Sequence, residues 1–210
     1  MGILQFERLA CRDCCKCVSA CPVKSIEMKD HHAMIVERDC ILCGSCIVAC
    51  PRGAKHGADD LENVRELFHR GRRVIASVAP SYAAYFDGCG FQTLRTALMK
   101  LGFSDACETA EGAYAVKTAY EMLLRGGKMR TMISSCCPTL NLYIEKYCPE
   151  TIPFLAPVLT PMEAHARLIH AREPDADVVF IGPCISKKAE CLAPDSQVKY
   201  AVSFEDTAKW

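Results

Sequence analysis

Cysteine is the residue type whose number and spacing could do chemistry in this 210-residue sequence. The chain has 16 cysteines, and two of its segments read C-x2-C-x2-C-x3-C-P. The first run contains Cys11, Cys14, Cys17 and Cys21, and the second contains Cys40, Cys43, Cys46 and Cys50. Thiolates in this order bind 4Fe-4S clusters. Zinc also binds four thiolates, but an ordered spacing that occurs intact twice favours iron and sulfide.

The two runs predict two 4Fe-4S clusters whose ligand sets cross between the runs. A short loop can wrap three corners of a cube with three closely spaced thiolates, whereas the fourth thiolate must come from elsewhere. We therefore predict one cluster on Cys11, Cys14, Cys17 and Cys50, and a second on Cys40, Cys43, Cys46 and Cys21. Cys15 lies outside the pattern and is expected to be a thiol without a role.

The repeated run also predicts the architecture of the first part of the chain. Residues 1–58 resemble a bacterial two-cluster ferredoxin, an α+β module that we expect to be pseudo-symmetric with two hairpin-forming halves. A module of this size buries too little apolar surface to be stable by itself. Cluster ligation should therefore supply much of its folding free energy.

Composition and charge limit the possible partners. Half of the residues are apolar, 24% are charged and the formal net charge is zero, which disfavours nucleic acid as a partner. The sequence has neither a secretory signal nor the roughly 20 consecutive apolar residues of a membrane span, so we expect no membrane insertion and a cytoplasmic location. In a reducing compartment, this many cysteines indicates metal or redox chemistry rather than disulfides.

The rest of the chain predicts a second domain of a different class. Residues 59–71 read as a linker helix, because Leu61, Val64, Leu67 and Phe68 recur at helical spacing. Beyond it, residues 72–210 alternate short apolar runs with helical segments, which predicts an α/β lobe with a parallel sheet. The predicted strands are residues 74–78, 131–134, 178–182 and 199–203, and the main helices are residues 91–101, 113–127 and 138–147.

Chemically capable residues follow three of the predicted strands. Ala79 and Pro80 come after residues 74–78, Cys136 and Cys137 after residues 131–134, and Cys184 after residues 178–182. Because the carboxyl ends of parallel strands share one edge of the sheet, we expect all three segments to meet there. Pro138 suits the first position of a helix, so the two adjacent cysteines should lie at a helix N-terminus, where the dipole favours thiolate.

These segments carry a resemblance to a known family. SSCCPTL (residues 134–140) is similar to the TSCCPxW motif of the iron-only (FeFe) hydrogenases, and GPCISKKAE (residues 182–190) is similar to their MPCxxKKxE motif. The resemblance implies that Cys137 and Cys184 ligate a third 4Fe-4S cluster, which with a diiron subcluster forms the H-cluster. It also implies that Cys136 passes protons to the diiron centre and Lys187 hydrogen-bonds a cyanide ligand. The Ala79–Pro80 backbone would face another diatomic ligand.

Three departures bring the chain closer to the divergent, sensory members of that superfamily. The family takes the remaining cubane ligands from a later CxxxC motif, which does not occur by Trp210. Leu140 stands where the first motif has tryptophan, and Gly182 where the second has methionine. We therefore expect the first lobe of a truncated domain, completed by a missing C-terminal part or by another subunit.

Two functions follow from the motifs. The first is an iron-sulfur electron-transfer protein with a hydrogenase-like redox or sensory domain, whose partner is a redox protein or a C-terminal sensory or catalytic region. The alternative is a ferredoxin hydrogenase that is active only with a missing C-terminal part or partner. We do not expect this chain alone to turn over hydrogen.

Overall fold

The computed structural model describes residues 2–127 and 129–210. The part that contains both cysteine runs is built from short elements. These are β1 (Leu4–Phe6), α1 (Lys16–Ala20), β2 (Ile26–Lys29), β3 (His32–Ile35), α2 (Ser45–Ala49) and β4 (Lys55–Gly57). β1 pairs antiparallel with β4, and β2 with β3. Each strand thus pairs with a strand of the other half, so the expectation of two hairpin-forming halves is wrong, although the α+β class is right.

The two cysteine loops repeat the same backbone conformation. Asp13 and Leu42, at matching positions of the runs, have φ angles of 55° and 54°. Cys15 and Gly44 also match, with φ angles of 55° and 78°, and each precedes a one-turn helix. Left-handed backbone suits glycine and is uncommon elsewhere. Cys15 is therefore an exposed residue at a turn position, which agrees with the expectation that it is not a ligand.

The apolar core of this part is very small. Its fully buried members are Cys17, Cys21, Ile26, Ala33 and Cys46. Three of these five are cysteines of the two runs, so the core consists largely of residues predicted to bind iron. The part depends on whatever those cysteines bind, because so few apolar side chains cannot offset the chain entropy lost on folding.

Residues 61–209 form an α/β lobe around one parallel sheet. Its elements are α3 (Leu61–His69), β5 (Val74–Val78), α4 (Tyr82–Tyr85), α5 (Phe91–Leu101), β6 (Asp105–Glu108), α6 (Ala110–Arg125), α7 (Pro138–Tyr147), α8 (Pro161–Arg172), β7 (Asp177–Ile181), α9 (Ser186–Cys191), β8 (Tyr200–Val202) and α10 (Phe204–Lys209). The strand order is β6-β5-β7-β8, and every pair is parallel. All residues of the central strands β5 and β7 are buried, which explains their continuous apolar sequences.

One predicted strand is wrong and one strand is absent from the prediction. Residues 131–134 are not part of the sheet: Ile133 makes a single parallel bridge, to Leu155. The edge position goes instead to β6, whose polar sequence DACE does not read as a buried strand. An edge strand needs an apolar side chain only where it faces the core, and in β6 that residue is Ala106, which is 2% exposed.

Helices α6 and α8 cross at very close range on one side of the sheet. A Cβ atom added at Gly112 of α6 would lie 2.7 Å from the backbone nitrogen of His165 in α8. Only glycine leaves room for this approach. No helix in the described part of the chain is both long enough and apolar enough to span a membrane.

Candidate iron-sulfur and hydrogenase-like site

Four cysteines, of which Cys43 is exposed, line one small cavity in the N-terminal part. They are Cys21 from the first run and Cys40, Cys43 and Cys46 from the second, which is the crossed set that the spacing predicts. Most of the remaining lining is aliphatic, including Ile26, Ile35 and Ile41. Backbone N–H groups point at two of the sulfurs: Ser25 donates to Cys21 Sγ at 3.3 Å, and Leu42 to Cys40 Sγ at 3.4 Å.

The electrostatics of this cavity suit a positively charged metal centre. Burial, together with the neighbouring Cys40, raises the pKa of the Cys46 thiol to about 11. Burial alone would raise the pKa of Cys21 as well, but hydrogen bonds from the Ser25 side chain and backbone lower it overall. Clustered thiolates repel one another unless a cation neutralises them. A soft-donor set with N–H groups aimed at sulfur fits an iron-sulfur cluster.

The other predicted set is more open. Cys17 is buried, Cys11 and Cys50 are half-buried, and Cys14 is exposed. The backbone N–H of Glu7 donates to Ala54 O at 2.9 Å, which aligns the approach to Cys11 with the segment after Cys50. Burial tends to raise the pKa of Cys50, but backbone N–H groups of Arg52, Ala54 and Lys55 and the charge of Lys55 lower it overall. Thiolate character is favoured there, as a metal ligand requires.

Helix α7 lies along the second cysteine loop. Lys146 Nζ donates to Cys40 O at 2.7 Å, and Tyr147 Oη donates to Asp39 O at 2.6 Å. At the other end of the helix, Thr139 Oγ1 donates to Leu42 O at 3.4 Å. Cys137, the N-cap residue of α7, is therefore held close to the loop that carries Cys40, Cys43 and Cys46.

The adjacent cysteines lie at the mouth of α7 as the sequence suggests. Pro138 is the first residue of the helix, and Cys137 has an extended backbone. Cys136 is exposed, and Ser134 Oγ donates to its sulfur at 3.1 Å. Ser134 Oγ also lies 3.1 Å from Tyr120 Oη, which has a proton of its own to donate, so α6 supports this turn. The two thiols are exposed and available to a ligand or to a further protein segment.

The predicted meeting of three segments at one sheet edge holds for two of them. Ala79 N–H donates to Ile181 O at 2.8 Å. A Cβ atom added at Gly182 would lie only 2.9 Å from the Cβ atom of Ala79. The ends of β5 and β7 are thus neighbours, with Cys184 just beyond. Cys136 and Cys137 reach the site from outside the sheet, so their predicted position at that edge is wrong.

The structure leaves no room for a side chain at Gly182, where the related motif has methionine. The ring of Phe180 fills the space beside Ala79, and a Cβ at Gly182 would lie 2.7 Å from that ring. A side chain at this position would displace Phe180, which is 4% exposed. Glycine is therefore tied to the packing at the end of β7.

Cys184 faces the ferredoxin-like part of the chain. It lines a groove of about 510 Å³ together with Cys43, Ile47 and Val48 of the second cysteine loop and α2. Ser186 Oγ lies 3.0 Å from Cys184 Sγ. Cys137 and Cys184 therefore both border the same cysteine loop, from α7 and from the end of β7.

The two lysines that follow Cys184 are both buried and ion-paired. Lys187 Nζ lies 2.7 Å from Glu190 Oε2, so an internal carboxylate holds the ammonium that the family motif assigns to a cyanide ligand. Lys188 Nζ lies 2.7 Å from Asp60 Oδ2, at the start of α3, and also donates to Ala201 O. The sequence analysis missed Lys188; its position beside Lys187 in a short helix was the available signal.

A buried histidine supports β5 just ahead of Ala79. His165 is fully buried, its Nδ1 lies 2.7 Å from Ser77 Oγ, and that oxygen lies 2.8 Å from Thr109 Oγ1. Its Nε2 has no hydrogen-bond partner in the described part of the chain. Burial lowers the pKa of His165, with Arg172 acting in the same direction. The residue is a packed, neutral histidine, as expected from its place among apolar helix residues.

Because burial lowers the pKa of His165, the free energy of unfolding should fall in mildly acidic solution. In the unfolded chain His165 takes up a proton near pH 6.5, whereas in the folded protein its lowered pKa keeps it neutral to a lower pH. The free energy of unfolding therefore declines as the pH falls below about 6.5. We expect a loss of up to about 1.4 kcal/mol per pH unit from this residue. Urea unfolding at pH 7.5 and 5.5 measures it, and His165→Asn should abolish this part of the slope. His31→Asn, at an exposed position, should keep it.

Comparison with known proteins agrees with the motifs and the fold. Residues 72–210 match the family described as the C-terminal domain of the iron-only hydrogenase large subunit, and residues 10–54 match the 4Fe-4S dicluster domain. The chain is 25% identical to the NADP-reducing hydrogenase subunit HndD of Solidesulfovibrio fructosivorans, over 90% of this chain and 39% of that protein. It is 30% identical to the periplasmic [Fe] hydrogenase large subunit of Nitratidesulfovibrio vulgaris, over 93% of this chain and 52% of that protein.

A eukaryotic relative extends the comparison beyond hydrogenases. The chain is 25% identical to the cytosolic Fe-S cluster assembly factor NAR1 of Candida dubliniensis, over 78% of this chain and 31% of that protein. The chain thus spans between about a third and about half of the length of these three relatives.

Proposed function

Because the chain belongs to the iron-only hydrogenase large-subunit family and carries a 4Fe-4S dicluster domain, we propose that it transfers single electrons between two 4Fe-4S clusters and a hydrogenase-like redox or sensory site. The cavity lined by Cys21, Cys40, Cys43 and Cys46 carries this proposal. Four thiols from two distant loops meet there with backbone N–H groups aimed at sulfur, which is the donor set that such a cluster needs.

In this proposal the two sets of thiolates act in sequence. Cys11, Cys14, Cys17 and Cys50 hold the outer cluster, named for its place away from helix α7 and the groove at Cys184, and a redox partner can approach it at the exposed Cys14. Cys21, Cys40, Cys43 and Cys46 hold the inner one. Helix α7 and the groove at Cys184 border the loop of the inner set, so the inner cluster is the one beside the hydrogenase-like site.

The proposed environment and partners follow from the surface and from the thiols. We propose a reducing cytoplasm as the environment, because 16 cysteines indicate metal or redox chemistry rather than disulfides. We propose as partner a redox protein or a C-terminal sensory or catalytic region, and neither nucleic acid nor a membrane. A neutral net charge offers no general attraction to either polyanion.

An iron and sulfide count of anaerobically purified protein tests the proposal. We expect about eight irons and about eight sulfides per chain, and electron paramagnetic resonance signals of two interacting clusters after reduction. Cys14→Ser should lower the iron content, whereas Cys15→Ser, one residue away and outside the spacing, should not. Colourless protein, or zinc in place of iron, would refute the assignment.

A second candidate function is an FeFe hydrogenase that becomes active only with a further C-terminal part or a partner. The observation that favours it is the placement of Cys137 and Cys184 along one cysteine loop, where they would supply two ligands of a third cluster. When bound, an H-cluster would supply the hydrogen chemistry, and the exposed Cys136 thiol could exchange protons with it. Lys187 Nζ uses one of its three protons on Glu190 and has others to donate to a ligand of the cluster.

Expression with a cofactor maturation system separates the two functions. The hydrogenase proposal requires more than about eight irons per chain, infrared bands of cyanide and carbonyl ligands, and loss of those bands in Cys184→Ala. The electron-transfer proposal predicts unchanged iron content and no such bands. Rapid hydrogen oxidation by this chain would contradict our preference for the first function.

A further inference from the structure

A fully buried lysine lies in the core of the ferredoxin-like part. Lys55 in β4 is 1% exposed and is among the largest fully buried side chains of the protein. Its Nζ donates to Ala33 O at 2.7 Å and lies 4.4 Å from the centre of the Phe6 ring. Within residues 2–127 and 129–210, no carboxylate forms an ion pair with it.

The ammonium bonds a residue that packs with cysteines of both proposed ligand sets. Its acceptor, Ala33, belongs to the buried cluster that contains Cys17 of the outer ligand set and Cys46 of the inner set. Lys55 also lies five residues after Cys50 of the outer set, in the strand that follows the second cysteine run. Thiolates of both ligand sets are therefore negative groups near the Lys55 ammonium.

Packing alone does not account for a lysine here. When the two cysteine runs are superposed, Lys55 falls five residues after Cys50, and Ile26 falls five residues after Cys21. Ile26 is also buried, at 6% exposed, so an apolar side chain fills the equivalent position in the other half. A buried ammonium costs several kcal/mol unless negative charge compensates it. The charge, rather than the volume, is the feature that needs an explanation.

We propose that Lys55 supplies a fixed positive charge that makes the iron-sulfur clusters easier to reduce. This inference rests on the proposed function, because it requires clusters on the two ligand sets. Reduction adds one electron, and hence one negative charge, to a cluster; no bond is made or broken at Lys55. A buried cation stabilises the more negative state more strongly, because attraction is strong where water is excluded. The electron comes from the redox partner, or from dithionite in the test.

Redox titration of the full chain with dithionite, followed by electron paramagnetic resonance, tests the inference. We compare the wild type with Lys55→Met, which keeps the volume and removes the charge, and with Lys55→Arg, which keeps the charge. Lys55→Met should bind the electron at least tenfold more weakly at one cluster or both, which is a midpoint about 59 mV more negative for a one-electron couple. Lys55→Arg should stay near the wild type. Lys29→Met, at an exposed position of β2, should also leave the midpoints unchanged.

Each outcome has a defined meaning. Unchanged midpoints in a fully loaded Lys55→Met protein would overturn the inference while leaving the proposed function intact. If Lys55→Met fails to hold clusters but Lys55→Arg holds them, the charge serves cluster assembly rather than reduction, and the inference as stated is overturned. If neither variant holds clusters, the side chain acts through its shape and the inference fails. A wild-type protein without iron would instead refute the proposed function itself.

Discussion

Replacing Cys46 with serine is expected to remove the inner cluster and to unfold most of residues 4–57. Cys46 is 8% exposed and belongs to a five-residue core in which three members are cysteines. A structural thiolate metal site can contribute roughly 10–16 kcal/mol to folding. This is comparable with the whole stability of a typical domain, about 5–15 kcal/mol. Losing such a site should therefore leave the small core without enough stabilisation.

Iron analysis and hydrogen exchange measure this result. The iron content should fall from about eight to about four per chain or fewer, and amide protection in β1 to β4 should be lost. The sheet of the α/β lobe should remain protected, because its core is apolar and contains no cysteine of the two runs. Cys15→Ser is the matched control, since Cys15 is exposed at a turn. Full iron content in Cys46→Ser would show that this thiol is not a ligand.

The cysteine spacing predicted which four cysteines line the cavity of the N-terminal part. The positions of Cys40, Cys43 and Cys46 within one loop fix their relative geometry, so the remaining unknown was the fourth thiol. Crossing with Cys21 follows from the length of the loop. Strand pairing was not predictable in the same way, because the pattern does not say whether β1 pairs within its own half or with β4.

In the α/β lobe, local sequence patterns did not predict all the strands of the sheet correctly. Residues 131–134 are extended only at Ile133, whose N–H donates to Phe154 O and whose carbonyl accepts from Ala156 N–H, so its backbone does not pair with the sheet. The true edge strand, β6, carries Asp105 and Glu108, which hide its role in sequence. Pairing across a sheet depends on residues distant in the chain, and a short segment does not encode its partner.

The two buried lysines are not evident from a local window of the sequence. Lysine is almost never fully buried, so Lys55 and Lys188 read as surface residues in any local window. The comparison of the two cysteine runs offered one signal, because Lys55 falls at the position of the apolar Ile26. For Lys188 the partner is Asp60, which is 128 residues away, and only the tertiary structure brings the two together.

Replacing Lys188 with methionine is expected to destabilise the lobe by about 3 kcal/mol. The Lys188 side chain is 8% exposed, and its ammonium bonds Asp60 at 2.7 Å and the carbonyl of Ala201. Removing one partner leaves a half-buried carboxylate and a buried carbonyl without their donor, and breaking a buried pair costs about 3–5 kcal/mol. Because Asp60 is 21% exposed, water compensates part of the loss, and the lower end of that range applies.

Urea unfolding of single and double variants checks this expectation. Lys188→Met combined with Asp60→Asn should recover part of the loss, because no charge then remains without a partner. Lys199→Met is the matched control: its ammonium is 60% exposed and 4.0 Å from Asp177, so its removal should cost less than about 1 kcal/mol. A loss in the double variant equal to the sum of the losses in Lys188→Met and Asp60→Asn would show that the pair is not coupled. Since Asp60 begins the helix after the ferredoxin-like part and Lys188 follows Cys184, a coupled pair also fixes how the groove at Cys184 faces Cys43.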